Sequence, residues 1–273
     1  MAVHAWKMYG DRLMSDSMRS YPVRRIVTHG PDLKSFYFDP VFESYPGQFV
    51  NLWIPGVDEK PFSISDATDE YIELSVKAVG PFTRKLMECN VGDYLGLRGP
   101  FGHGFQPGEH ALLIGGGIGL APIRYLSRFM QTRNMKYILL IGAKKAQDVI
   151  FRSELYDDQI YCTTEDGSLG CKGLVTQEMK RILDTETVSC ICAAGPEAML
   201  ARILEIADVR GIDVQLSFER YMKCGIGICG QCCLDGSGIR VCVEGPVLRR
   251  EEIRETTGIG LPHRDATGTR KTS

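Results

Sequence analysis

Five cysteines within nineteen residues carry the clearest chemistry in this chain. Cys224 and Cys229 are separated by four residues, Cys229 and Cys232 by two, and nine residues stand between Cys232 and Cys242. Thiolates at a C-x4-C-x2-C…C spacing converge on one small inorganic centre, and this spacing is the plant-type ligand set of a [2Fe–2S] cluster. Glycines 225, 227 and 230 suit such a loop, which must turn amides toward the sulfurs and take up positive φ. A tetrathiolate zinc site is the competing reading, although zinc ribbons ordinarily use two CxxC knuckles and this segment has one. A set of buried free cysteines is a poor account of five so close together. Cys233 is an additional thiol beside a ligand position, and no role is assigned to it. Cys190 and Cys192 alternate in an apolar run and read as small core residues.

A second signal is a pair of glycine turns. Gly115, Gly116, Gly117 and Gly119, followed by Leu120-Ala121-Pro122, lie between an apolar strand-like run and an amphipathic stretch. Glycines there let the backbone approach a pyrophosphate, and the helix N-terminus offers free amides and a positive dipole end. Pro122 fits a first helical turn. Gly195-Pro196, in Ala193-Ala-Gly-Pro-Glu-Ala-Met199, forms a second strand-to-helix turn, and the two together outline a dinucleotide cleft. A merely tight structural turn is the plain alternative for each. The acidic residue expected about 20 residues past the first turn is not evident. Lys144 and Lys145 are positioned to meet a 2′-phosphate, so NAD and NADP are both open on the residues alone.

A third signal lies earlier. Lys60-Pro61-Phe62-Ser63 supplies a cation, an apolar ring and a hydroxyl, the groups a flavin needs for phosphate, stacking and hydrogen bonding. Thr83, in Gly80-Pro-Phe82-Thr, is placed to cap a short helix or to meet a phosphate. The five histidines have neither ligand nor triad spacing.

Positioning these groups requires two kinds of element. From Tyr21 to about Gly108 the runs Pro22–His29, Leu33–Phe38, Phe49–Ile54, Tyr71–Val79 and Tyr94–Arg98 are short, β-branched or aromatic and bounded by turn residues. Five or six such strands, with a short helix over Phe82–Cys89, predict an antiparallel barrel over residues 20–108. From residue 109 to 218, strands near 111–116, 137–143, 160–164, 188–194 and 214–218 alternate with helices, among them segments near 150–156, 173–184 and 196–210. That alternation predicts a doubly wound parallel α/β sheet. Residues 219–250 form the cysteine region. Residues 251–273 read as a flexible tail and residues 1 to about 20 as a loose arm. Net charge is −2, which gives no basic footprint for nucleic acid. No apolar run is long enough to span a bilayer, and the N-terminus has no apolar signal core. Ten cysteines then fit a reducing compartment and a metal centre, which places the chain in the cytoplasm.

The order of these pieces resembles the ferredoxin reductase-like flavoproteins that carry a C-terminal [2Fe–2S] cluster. Within that superfamily the chain looks most like the electron transfer subunits of NAD-dependent (class 1B) dihydroorotate dehydrogenases, most closely over Glu219–Cys233 and Arg240–Pro246. The resemblance implies FAD on the barrel at Lys60, Pro61, Phe62, Ser63, Val76, Lys77, Ala78, Phe82 and Thr83. It implies NAD at Gly115, Gly116, Gly117, Gly119, Gly195 and Pro196, and a cluster on Cys224, Cys229, Cys232 and Cys242. It further implies an FMN-containing catalytic partner that oxidises dihydroorotate in pyrimidine (UMP) biosynthesis, assembled as a heterotetramer. Electrons would pass from that FMN to the cluster, then to FAD, then to NAD⁺. Two positions depart from the family pattern. Lys60 stands where R-P-x-S has arginine, which keeps the charge and loses the bidentate fork. Phe82-Thr83 stands where a Gly-Thr pair is usual. Flavoprotein subunits of hydrogenases and sulfide dehydrogenases share the architecture and are the alternative reading.

Overall fold

The computed structural model describes residues 17–151, 160–261 and 269. The β-branched and aromatic segments of the first half form strands β1 (Arg19–Pro22), β2 (Arg25–Gly30), β3 (Leu33–Phe38), β4 (Phe49–Ile54), β5 (Asp58–Ser63), β6 (Asp66–Ala67), β7 (Ile72–Lys77) and β8 (Tyr94–Phe101). They make two antiparallel four-stranded sheets, ordered β1-β8-β4-β5 and β2-β3-β7-β6. Phe36, Phe38, Val50, Leu52, Ile64 and Leu74 fill the core they share. Helix α1 (Pro81–Leu86) adds Phe82 and Leu86 to it.

Three of these strands were not foreseen. Strand β5 contains Asp58, Glu59, Lys60 and Pro61, residues depleted in strands. It and β1 are the two edges of their sheet, where Pro61 and Pro22 cost no ladder hydrogen bond. Strand β6 has only two residues. The expected strand Pro22–His29 is broken, because Val23 turns to Asp93 and Arg24 to Tyr37 for backbone partners. The expected arm is also shorter than supposed. Arg19 and Ser20 pair with Leu97 and Gly96, and residues 1–16 lie outside the described residues.

The second half forms strands β9 (His110–Gly116), β10 (Lys136–Ala143), β11 (Ile160–Thr164), β12 (Cys171–Lys172), β13 (Cys190–Ala194), β14 (Asp213–Ser217) and β15 (Val247–Arg249). Their order in one sheet is β12-β11-β10-β9-β13-β14-β15. All pairs are parallel except β14 with β15. Helices α2 (Leu120–Thr132), α3 (Val175–Thr185), α4 (Glu197–Arg210) and α5 (Arg250–Ile253) accompany it. Leu112 and Ile114 of β9 pack on one face, Ala111 and Leu113 on the other. Burial on both faces explains why these strands read as continuous apolar runs. Helix α4 buries Leu200, Ile203, Ile206 and Ala207 and stops at Gly211, whose φ of 66° is left-handed. The helix expected near 150–156 lies largely outside the described residues.

The two halves meet along α2. Arg124 Nη1 donates to Glu73 Oε2 at 3.0 Å, with the Glu73 side chain wholly buried. Arg128 pairs with Asp66, and Tyr125 Oη donates to the Ser44 carbonyl at 2.9 Å. The cysteine region closes the circuit, since β15 runs back onto β14 and Ile253 of α5 lies in the core.

Candidate functional site

Strands β9 and β13 are neighbours at the point where strand order reverses, the place where open α/β sheets form a ligand crevice. Both glycine turns sit there, and they touch. A Cβ on Gly119 would lie 2.5 Å from the backbone of Ala194 and Gly195. One on Gly116 would meet Met199 Sδ at 2.6 Å, and one on Gly195 would meet Gly116 Cα at 3.0 Å. Those three glycines are therefore demanded by the approach of one turn to the other. Gly117 differs: its φ is +54° and no atom stands within 4 Å of its missing Cβ. Gly115 packs on Leu120. Helix α2 points its N-terminus at this crevice with no acidic residue in its first turn, an arrangement suited to a pyrophosphate. Pro196 precedes α4, whose first residue, Glu197, is buried against Arg220. The exposed Lys144 and Lys145 are not alone. The Glu165 and Asp166 amides donate to the Ala143 and Lys144 carbonyls, so two acidic residues adjoin this segment, and Asp166 Oδ1 accepts from the Ser168 amide and hydroxyl.

On the barrel, Lys60, Pro61, Phe62 and Ser63 are all half-buried on edge strand β5. The Phe62 ring stacks on Phe82 with centroids 6.0 Å apart. Lys60 pairs with Asp58, and its Nζ lies 5.5 Å from the Tyr221 ring centroid. Val76 is buried, Lys77 Nζ lies 3.7 Å from Asp32 Oδ2, and the Ala78 amide donates to the Asp32 carbonyl. Thr83 Oγ1 accepts from the Val79 and Gly80 amides and donates to the Gly80 carbonyl, so its hydroxyl forms the cap of α1.

The cysteine loop lies against the barrel and the sheet together. Gly225, Gly227 and Gly230 have φ of +71°, +81° and +70°. A Cβ on Gly225 would meet Asn51 Nδ2 at 2.7 Å, and one on Gly227 would meet Val243 Cγ2 at 2.6 Å. Two of the sulfurs form a close pair. Cys232 Sγ and Cys242 Sγ are 3.3 Å apart and both residues are buried. Cys224 Sγ accepts from the Ile228 and Cys229 amides at 3.4 Å, and exposed Cys229 adds its own thiol. Burial raises the Cys224 thiol, but the donors of Cys229, Ile226 and Ile228 outweigh it and hold its pKa down to about 7. The hydrogen bond shared by the Cys232 and Cys242 thiols brings Cys232 down to about 6 and pushes Cys242 up. Cys233 is pushed up, by burial first and then by the charge of Cys232.

Among the described residues no three His, Cys, Asp or Glu side chains surround a single point as one metal ion requires. Cys232 and Cys242, 3.3 Å apart, are close enough to share one iron of a binuclear cluster, which takes two thiolates per iron.

Sequence reasoning missed the ties that hold this loop. Arg98 Nη2 donates to the Cys224 carbonyl at 2.7 Å and its Nε to Glu59 Oε1 at 2.6 Å. Arg240 Nη1 donates to the Gly227 carbonyl at 3.2 Å, and Arg220 pairs with Glu197. Their signal was absent because each partner is distant in sequence or a backbone carbonyl.

Residues 219–254 match the family model of the iron–sulfur cluster binding domain of dihydroorotate dehydrogenase B. A Methanocaldococcus jannaschii protein named probable dihydroorotate dehydrogenase B (NAD(+)), electron transfer subunit, is 41% identical over 90% of this chain and 95% of its own. A Methanothermobacter thermautotrophicus protein of the same name is also 41% identical, over 91% and 95%. The chain belongs to this family of dihydroorotate dehydrogenase B electron transfer subunits. Its fold is likewise that of a chain in the solved structure of an NADH-dependent reduced ferredoxin–NADP oxidoreductase. That chain matches with a TM-score of 0.77 and 26% identity over 85% of this chain and 88% of the other. The family segment takes in all five clustered cysteines and continues through β15 and α5, so the electron transfer subunit's cluster domain includes its return to the sheet.

Proposed function

We propose that this chain is the subunit that carries electrons between a dihydroorotate-oxidising catalytic subunit and NAD⁺, in the cytoplasm, as part of pyrimidine biosynthesis. The observation that carries this reading is four cysteines at cluster-ligand spacing in a segment that meets the flavin-type barrel at Asn51 and the core of the dinucleotide-type sheet at Cys232 and Cys242. Cys224, Cys229, Cys232 and Cys242 would hold a [2Fe–2S] cluster. Lys60, Pro61, Phe62, Ser63, Val76, Lys77, Ala78, Phe82 and Thr83 would line the FAD site, and Gly115, Gly116, Gly117, Gly119, Gly195 and Pro196 the NAD site. When bound, the cluster supplies one-electron exchange, NAD(H) supplies hydride exchange, and FAD converts between them.

The chain's own part is to bind and to exclude water. Amide donors aimed at Cys224 favour the thiolate that a metal requires. Burial of Cys232 and Cys242 shields one end of the cysteine site, while Cys229 and the exposed Ile228 leave the other end at the surface. That surface suits approach by an FMN-containing catalytic subunit, in a heterotetramer of two subunit types. Among the described residues no helix is long and apolar enough to cross a membrane.

Cys229→Ser tests the assignment. The variant should purify without the cluster's absorbance and keep FAD. NADH should still bleach the flavin, and electron exchange with the catalytic subunit should cease. Normal exchange with the partner by Cys229→Ser would contradict the proposal.

A further inference from the structure

The cysteine loop is gripped by two arginines of different origin. Arg240 belongs to the cysteine region itself: it holds the Gly227 carbonyl and pairs with Glu244. Arg98 belongs to barrel strand β8, and its side chain is only 11% exposed. It makes three contacts at once. Nη2 donates to the carbonyl of Cys224, a proposed cluster ligand, while Nε donates to Glu59 on β5. Its guanidinium carbon also lies 5.5 Å from the Phe101 ring centroid.

Glu59 is held in turn by Asn51 Nδ2 at 2.6 Å, and Asn51 fills the space a Gly225 side chain would occupy. Asn51 is 2% exposed, so this side of the junction is buried, while the Glu59 carboxylate keeps partial contact with solvent. Glu59 stands one residue before Lys60, on the strand that carries the flavin motif. Cys224 and the Lys60–Ser63 strand are thus joined by two charge-assisted hydrogen bonds through one side chain. Such bonds are short and directional, and a bidentate guanidinium fixes geometry as well as charge.

We infer that Arg98, with Glu59 as its anchor, is a positioning residue for electron exchange between cluster and flavin. It sets the cysteine loop at a fixed distance from β5. This rests on the proposal that the chain binds both groups. No bond is made or broken at Arg98. One electron at a time crosses the junction, supplied by dihydroorotate through the partner or, in reverse, by NADH.

The test is anaerobic stopped-flow mixing of the full chain with NADH, following flavin bleaching and cluster bleaching separately. Arg98→Met and Glu59→Gln should retain iron, acid-labile sulfide and FAD and bleach the flavin at the normal rate. Cluster bleaching should slow by about tenfold, because the loop that presents Cys224 no longer holds one position against β5. Arg98→Lys, which restores charge without the fork, should recover part of the rate. Hydrogen exchange at the amides of residues 225–229 should quicken in Arg98→Met and Glu59→Gln. Arg240→Met is the control: it grips the loop from within, so its defect should be loss of cluster.

Unchanged cluster bleaching with unchanged exchange in Arg98→Met would overturn the inference. So would outright loss of the cluster in both Arg98→Met and Glu59→Gln, which would make the pair builders of the site. Absence of flavin and iron–sulfur absorbance from the unmodified protein would instead overturn the underlying proposal.

Discussion

At the scale of single residues, the glycines of the crevice divide by cause. Gly119 is forced by the backbone of the facing turn, whereas Gly117 faces open space with a left-handed φ. Gly119→Ala should therefore overpack the contact between β9 and β13, destabilise by about 1–3 kcal/mol, and raise KM for NADH. Gly117→Ala should cost about 1–2 kcal/mol through backbone strain alone. Urea denaturation and NADH kinetics on both variants separate the two. Tyr37 offers a pH test. Burial, then the charge of Glu73, pushes its phenol up to about 12, against the opposing pull of Arg25 and Arg124. The folded state thus favours the neutral phenol. Its stabilising contribution is complete below pH 10 and is lost as pH rises from 10 through about 12. Absorbance of phenolate against pH, compared in Tyr37→Phe, should show one ionisation missing from that upper range.

Among elements, α2 both opens at the crevice and docks on the barrel, so its salt bridge governs how the two halves sit. Arg124→Met would leave Glu73 buried with its charge uncompensated, at a cost of about 3–5 kcal/mol. Glu73→Gln should cost less, because Arg124 keeps the face of the Phe151 ring, 4.2 Å away, and the hydroxyls of Ser35 and Ser75 still meet the side chain at that position. Chemical denaturation of both variants checks the order. The same scale explains what could be read in advance. Strands β9, β10, β13 and β14 were legible because parallel strands buried on both faces leave apolar runs with glycine or helix signals after them. Strand β5 was not, because an edge strand tolerates Asp58, Glu59 and Pro61, which look like a loop. Strand β15 was hidden for another reason: it is three residues long and its partner is Gln215–Ser217, across the whole cysteine region.

For the whole molecule, three parts meet at one junction: the barrel through Arg98 and Lys60, the sheet through Glu197 and Arg220, and the cysteine loop between them. Thiol spacing marked the metal loop, because coordination constrains sequence locally. The junction left no such mark, because its ties pair side chains with carbonyls and carboxylates far along the chain. The account rests on flavin and cluster being present together and exchanging electrons. The direct measurement is an anaerobic NADH titration of the purified chain, with iron, sulfide, zinc and flavin determined on the same sample. About two irons with matching sulfide and one FAD per chain should be found, and NADH should bleach the flavin and cluster bands together. One zinc per chain, without flavin and without bleaching, would contradict it.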